Sequence, residues 1–173
     1  MKQQLIKTDG SLNLAASENS SPGDFDFLVG RWRIHNKKLK TRLDDCREWT
    51  EFEAAGECRK ILNGMGNIDS FVTEFDGKPF EGMALRLFDP ASKLWSIYWA
   101  NSETATLDVP QIGCFENRVG EFYARDVWQN KNIVVLYRWD ATDQNEPKWS
   151  QAFSPDDGAT WEWNWEMIFR RLI

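Results

Sequence analysis

The sequence predicts an all-β, antiparallel, single-domain protein, and three observations predict it. Aromatic residues make up 14% of the 173 residues, and most stand at alternate positions, the period of a strand whose successive side chains point to opposite faces. The apolar runs are short and are separated by turn chemistry at "NGMGN", "DGKPF", "DPASK", "ENRVG", "WQNKN" and "SPDDGAT". No segment sustains the 3.6-residue period of an amphipathic helix. Tight connections imply antiparallel pairing, because parallel strands need long crossovers. A closed barrel and a sandwich both satisfy these constraints.

Residues 1–23, rich in Ser, Asn and Gln and ending in Pro22-Gly23, are expected to be a flexible lead-in with a helical turn near Leu12 to Ala16. The β domain is expected over 24–173. Its strands are expected at 30–40, 47–57, 58–63, 67–75, 81–89, 94–101, 111–117, 119–128, 132–140, 147–154 and 160–170. Alternation assigns inward faces along them: Trp32 and Ile34, Leu85 and Leu87, Trp95, Ile97 and Trp99, then Phe122 and Ala124, Tyr137 and Trp139, Trp149 and Phe153. On the last strand Trp161, Trp163, Trp165, Met167, Phe169 and Arg171 share one face, which is expected to point inward. Arg86, Tyr98, Tyr123, Arg125, Arg138 and Asn164 fall on the outer faces.

The domain opens with "FDFLVGRW", a fit to F-x-x-x-x-G-x-W through Phe25, Gly30 and Trp32. This opening resembles the entrance to the first strand of lipocalins and other calycins. The resemblance implies an up-and-down barrel of about 8–10 strands with a short N-terminal helix closing one end. It also implies an Arg from the end of the chain lying over the Trp, and Arg171 is the matching residue. The segments "FDFLVGRWRIHNKKLK", "ALRLFDPASKLWSIYWA" and "WSQAFSPDDGATWEWNWEM" are similar to a family of bacterial calycin-like proteins, a domain of unknown function. That resemblance implies a fold and supplies no catalytic residues.

One motif points elsewhere at first sight. Ser154, Asp156, Gly158, Thr160 and Trp161 fit S-x-D-x-G-x-T-W, the Asp box that recurs in the blades of sialidase propellers. A propeller needs a blade of four strands repeated several times, and a single box in a chain of 173 residues cannot supply it. The motif is expected to clasp the hairpin between the last two strands, where Asp and Gly accept positive φ and bond their own backbone.

Charge and composition exclude several function classes. A net charge of −6 and a pI near 4.9 leave no basic surface for nucleic acid. The first residues contain no apolar run suited to a signal peptide or a membrane span, so a cytoplasmic location is expected. Cys46, Cys58 and Cys114 form no C-x-x-C pair and are expected as reduced thiols. With His35 the only histidine, and read as outward-facing, neither haem nor a metal site is expected, and no cofactor.

What remains is the barrel interior. So many rigid rings tile badly without gaps, and a cavity is expected, with a solid aromatic core as the alternative. The expected ligand is a small, largely apolar or aromatic molecule stacked on Trp99, Trp163 and Trp165, with Gln151, Asp126 and Tyr137 as polar or ring contacts. A second reading is a cofactor-free acid–base enzyme in the same cavity, with Glu48 or Asp126 as the base. A third is an interaction domain with a packed core that pairs through an exposed strand edge. Exposed edges and loops also raise the expectation of a homodimer.

Overall fold

The computed structural model describes residues 4–172. A 3₁₀ turn, Asp26–Leu28, leads into ten strands: β1 (Gly30–Leu39), β2 (Trp49–Ile61), β3 (Gly66–Phe75), β4 (Lys78–Asp89), β5 (Leu94–Asn101), β6 (Gln111–Glu116), β7 (Val119–Trp128), β8 (Lys131–Asp140), β9 (Lys148–Ser154) and β10 (Glu162–Arg171). Each strand pairs antiparallel with the next, and β10 returns to β1. The result is a closed up-and-down barrel of calycin-like architecture. The two runs expected at 47–57 and 58–63 are one strand, β2. Closure gives every strand two neighbours, so the strand edge needed for edge-to-edge pairing does not exist among these ten.

The end of the barrel that carries the 3₁₀ turn is sealed by its own sequence. Trp32, 1% exposed, donates its indole N–H to the Leu28 carbonyl at 2.7 Å. Gly30 has φ +125, which favours glycine, and a Cβ there would press on the Arg171 guanidinium at 2.6 Å. Behind the turn, Phe25 meets Phe115 edge-on at 4.9 Å and Trp95 edge-on at 5.0 Å, and stacks on Phe122 at 5.7 Å. Residues 4–23 contain no helical turn at Leu12–Ala16. They lie against the barrel: Ser17 Oγ donates to the Phe115 carbonyl at 2.6 Å, Ser20 Oγ to the Lys93 carbonyl at 2.8 Å, and Arg125 to the Gly10 carbonyl at 2.7 Å. The first three residues of the lead-in, and Ile173, lie outside the described residues.

Alternation assigns β1, β5, β7, β8 and β9 correctly and fails on two strands. On β4 the inward residues are Gly82, Ala84, Arg86 and Phe88, while Leu85 and Leu87 are half-buried on the outer face. The interior takes Arg86 because neighbouring β3 supplies its partners, Asp69 at 2.7 Å and Asn67 at 2.9 Å. On β10 a bulge sets in between Trp163, which pairs with Ala152, and Trp165, which pairs with Gln151. The extra residue, Asn164, turns fully inward, and Trp163 is 40% exposed on the outside.

Candidate functional site

The barrel encloses a cavity of about 350 Å³ that runs from Leu28 and Trp32 at the sealed end to Lys38, Arg42, Asn101, Asp108 and Trp128 at the other. Strand register builds its principal wall. Tyr137 on β8 pairs with Gln151 on β9, Gln151 with Trp165 on β10, and Trp165 with Lys38 on β1, so four cavity residues form one row across four strands. Trp149 stands against this row, edge-on to Tyr137 at 4.9 Å and to Trp165 at 5.6 Å. Phe71 carries the ring surface round to Trp99, with a centroid distance of 5.8 Å.

A second row is polar at three of its four positions. Asn67, Arg86, Ile97 and Gln111 are register partners across β3, β4, β5 and β6, and all four are buried. Arg86 lies under Phe25 at 5.1 Å and Trp139 at 5.6 Å, held by Asp69 and Asn67. The cavity lining thus combines ring surface with the Gln111 and Gln151 amides and the Arg86–Asp69 ion pair.

Of the residues expected at the site, Trp99, Asp126, Tyr137, Gln151 and Trp165 line this cavity. Trp163 does not; the β10 bulge carries it outside. Gln151 donates its amide N–H to Asn164 Oδ1 at 2.8 Å, a bond between two buried side chains. Glu48, the other carboxylate weighed as a base, is exposed and paired with Lys40 at 2.6 Å, away from the cavity. His35 is on the outer face, 2.6 Å from Glu53.

Titratable groups gather at the end away from Trp32. Burial pushes the Lys38 ammonium down to about 8, and neighbouring Arg42 pushes the same way. Burial likewise lowers Arg42, whose guanidinium lies 5.2 Å from the Trp128 ring and 5.7 Å from Phe153. Across the cavity, burial and then the Asp126 carboxylate raise Asp108 above the usual carboxylate range. Burial raises the Tyr137 phenol, and the charges of Asp108 and Asp126 add to it.

Sequence reasoning missed Lys38, Arg42, Arg86, Asp108 and Gln111. For Arg86 a signal was present: Gly82 and Ala84, at the same parity, are small because Trp99 lies over that face, with Ala84 its register partner. Small residues opposite a Trp mark the inward side better than Leu85 and Leu87 do. Arg42 and Asp108 lie in loops, where no period exists to read.

The connection between β9 and β10 is tied by the motif residues. Ser154 Oγ donates to Asp156 Oδ1 at 2.8 Å and accepts the Gly158 N–H at 2.8 Å. Thr160 donates to the same carboxylate through its N–H at 2.8 Å and its hydroxyl at 2.7 Å. These bonds hold Asp156 below the usual carboxylate range, with the Thr160 hydroxyl the largest cause. The carboxylate is thus committed to its own turn. No helix among the described residues is long and apolar enough to cross a membrane.

No family model matches the chain, and no curated protein matches it.

Proposed function

We propose that this calycin-like barrel binds a small, largely apolar or aromatic molecule in its interior. One observation carries the reading: a cavity of about 350 Å³ walled by Tyr137, Trp149, Trp165, Phe71 and Trp99. That volume lies at the lower end of ligand sites, which span roughly 300–1,000 Å³ and combine apolar walls with a few polar anchors. In this reading Trp99 and Trp165 stack on the ligand body, Tyr137 closes the ring wall, and Gln151 and Asp126 meet polar groups. The S-x-D-x-G-x-T-W turn serves as a hairpin clasp. The acidic chain, at net −6, argues against a nucleic-acid partner, and the protein acts in the cytoplasm.

A second reading, cofactor-free acid–base catalysis, is favoured by one specific observation. Asp108 and Asp126 line the cavity together, and Asp108 is held toward its protonated form. The binding reading is tested by titrating the protein with aromatic acids, fatty acids and flavin-like rings while following Trp emission and melting temperature. Saturable quenching with a raised melting temperature supports it. A panel that moves neither quantity removes it.

A further inference from the structure

We infer that Lys38 and Arg42 form an anion subsite at the mouth of the cavity, so that the ligand is an apolar or aromatic molecule carrying one carboxylate or comparable small anion. The inference rests on the cavity being a binding site and names the chemical class of its occupant.

The argument begins with where the two cations are. Lys38 lies at the end of β1, in register with Trp165, and its ammonium sits 4.1 Å from that ring. Arg42 follows in the connection to β2, and its guanidinium covers Trp128 and Phe153. Both side chains line the cavity. The loop that carries Arg42 is fastened, because the Leu43 N–H donates to both oxygens of Glu162, at 3.0 Å and 2.9 Å.

Neither cation has an ion-pair partner among the described residues, although the Glu162 carboxylate attracts Arg42 from farther off. Arg42 Nε is buried and has no hydrogen-bond partner among them. The third cation of the cavity shows the contrast: Arg86 is held by Asp69 and Asn67. Nearby carboxylates are otherwise engaged or otherwise placed. Glu162 is held by Leu43, Asp126 acts on Asp108, and both carboxylates act on Tyr137. Glu103 attracts Lys38 from beyond ion-pair distance.

Withdrawing two like charges from water is unfavourable unless an opposite charge joins them. The rings beneath them offset part of this cost through cation–π attraction, and they leave the N–H groups of both side chains to be used by an acceptor. A carboxylate at this point meets a compact ammonium and a guanidinium fork together, the donor set suited to a small oxyanion. Its apolar body then extends inward along Trp165, Trp149 and Tyr137. The polarity of the cavity therefore orders the ligand: anion at the mouth, rings or chain inside.

The test uses matched pairs, 2-naphthoate with 2-naphthamide and decanoate with decanamide, titrated into the full chain by calorimetry. In at least one pair the acid should bind about tenfold or more tightly than the amide. Lys38→Met and Arg42→Met should each erase most of that preference, read as the ratio of acid to amide affinity within one variant, and Arg42→Lys should retain part of it. Equal affinities within both pairs, or a preference unaffected by both Met variants, would overturn the anion subsite and leave the cavity reading standing. Binding of neither member of either pair would overturn both.

Discussion

The guanidinium of Arg171 lies 4.2 Å from the centre of the Trp32 ring and donates to the carbonyls of Val29 and Phe27 at 2.8 Å each. The last strand is thereby tied to the 3₁₀ turn that precedes the first, and the indole is clamped at the barrel end. Trp32→Ala should cost about 3–5 kcal/mol, the range for removing a large buried aromatic. Arg171→Leu should cost less, about 1–3 kcal/mol, from the lost stacking and hydrogen bonds. Urea denaturation reads both. A loss below about 1 kcal/mol for Trp32→Ala would mean that the indole closes nothing.

This end of the molecule was legible in the sequence because its information is local: the G-x-W opening marks Trp32, and strand parity brings Arg171 beside it. The inward rows of β5 and β7 were legible for the same reason. Arg86 was not. A strand read alone gives the interior to Leu85 and Leu87, and only β3, with Asp69 and Asn67, makes an inward arginine acceptable. Trp163 failed for a different cause, since a bulge shifts parity by one residue and leaves no apolar or polar signature in the run "WEWNWEM". Lys38 shares the inward parity of Trp32 and Ile34 on β1, but a lysine read alone is given to solvent, and Arg42 depends on where the β1–β2 connection travels, which alternation does not encode. Thus the frame and the ring wall were readable, and the charged half of the site, made by contacts between strands and loops, was not.

The turn after β9 supplies the next expectation. Gly158 has φ +93, so Gly158→Ala should destabilise by about 1 kcal/mol or more through backbone strain. Asp156→Ala should lower the melting temperature at neutral pH by releasing Thr160 and Ser154. The Asp156 pKa is depressed on folding, so its contribution is present above the unfolded carboxylate pKa and is lost as pH falls through the folded one. The gap between wild type and Asp156→Ala should therefore close below about pH 4. Ligand affinity should not change in either variant, and an Asp156→Ala protein that kept its stability but lost a turnover would contradict the turn assignment.

For the ring wall, Trp165 and Trp163 form an internal control two residues apart. Trp165→Ala should weaken an aromatic ligand about fivefold or more, from roughly 1 kcal/mol of lost stacking beyond area. Trp163→Ala should leave affinity unchanged, because its ring is outside. Gln151→Leu should lower stability by about 1–3 kcal/mol, since fully buried Asn164 loses its donor. Fluorescence titration beside chemical denaturation separates the two effects. Equal loss of affinity at Trp163 and Trp165 would place the ligand elsewhere than the cavity.

Lys38 gives a pH dependence whose sign is fixed. Folding lowers its ammonium pKa from 10.5 to about 8, so between these values the unfolded chain holds a proton that the folded chain has released. Stability should therefore rise with pH across that window, and the rise should vanish in Lys38→Met. Arg42, Glu103, Asp108, Asp126 and Tyr137 also face this end of the cavity, as Lys38 and Tyr137 register in their own shifts. A bound carboxylate pulls the Lys38 pKa back up by pairing with the ammonium, so binding of 2-naphthoate at about pH 9 should take up nearly one proton. Calorimetry in two buffers of different ionisation enthalpy counts the protons directly. Uptake near zero at about pH 9, or uptake that persists in Lys38→Met, would show that the anion does not meet this amine.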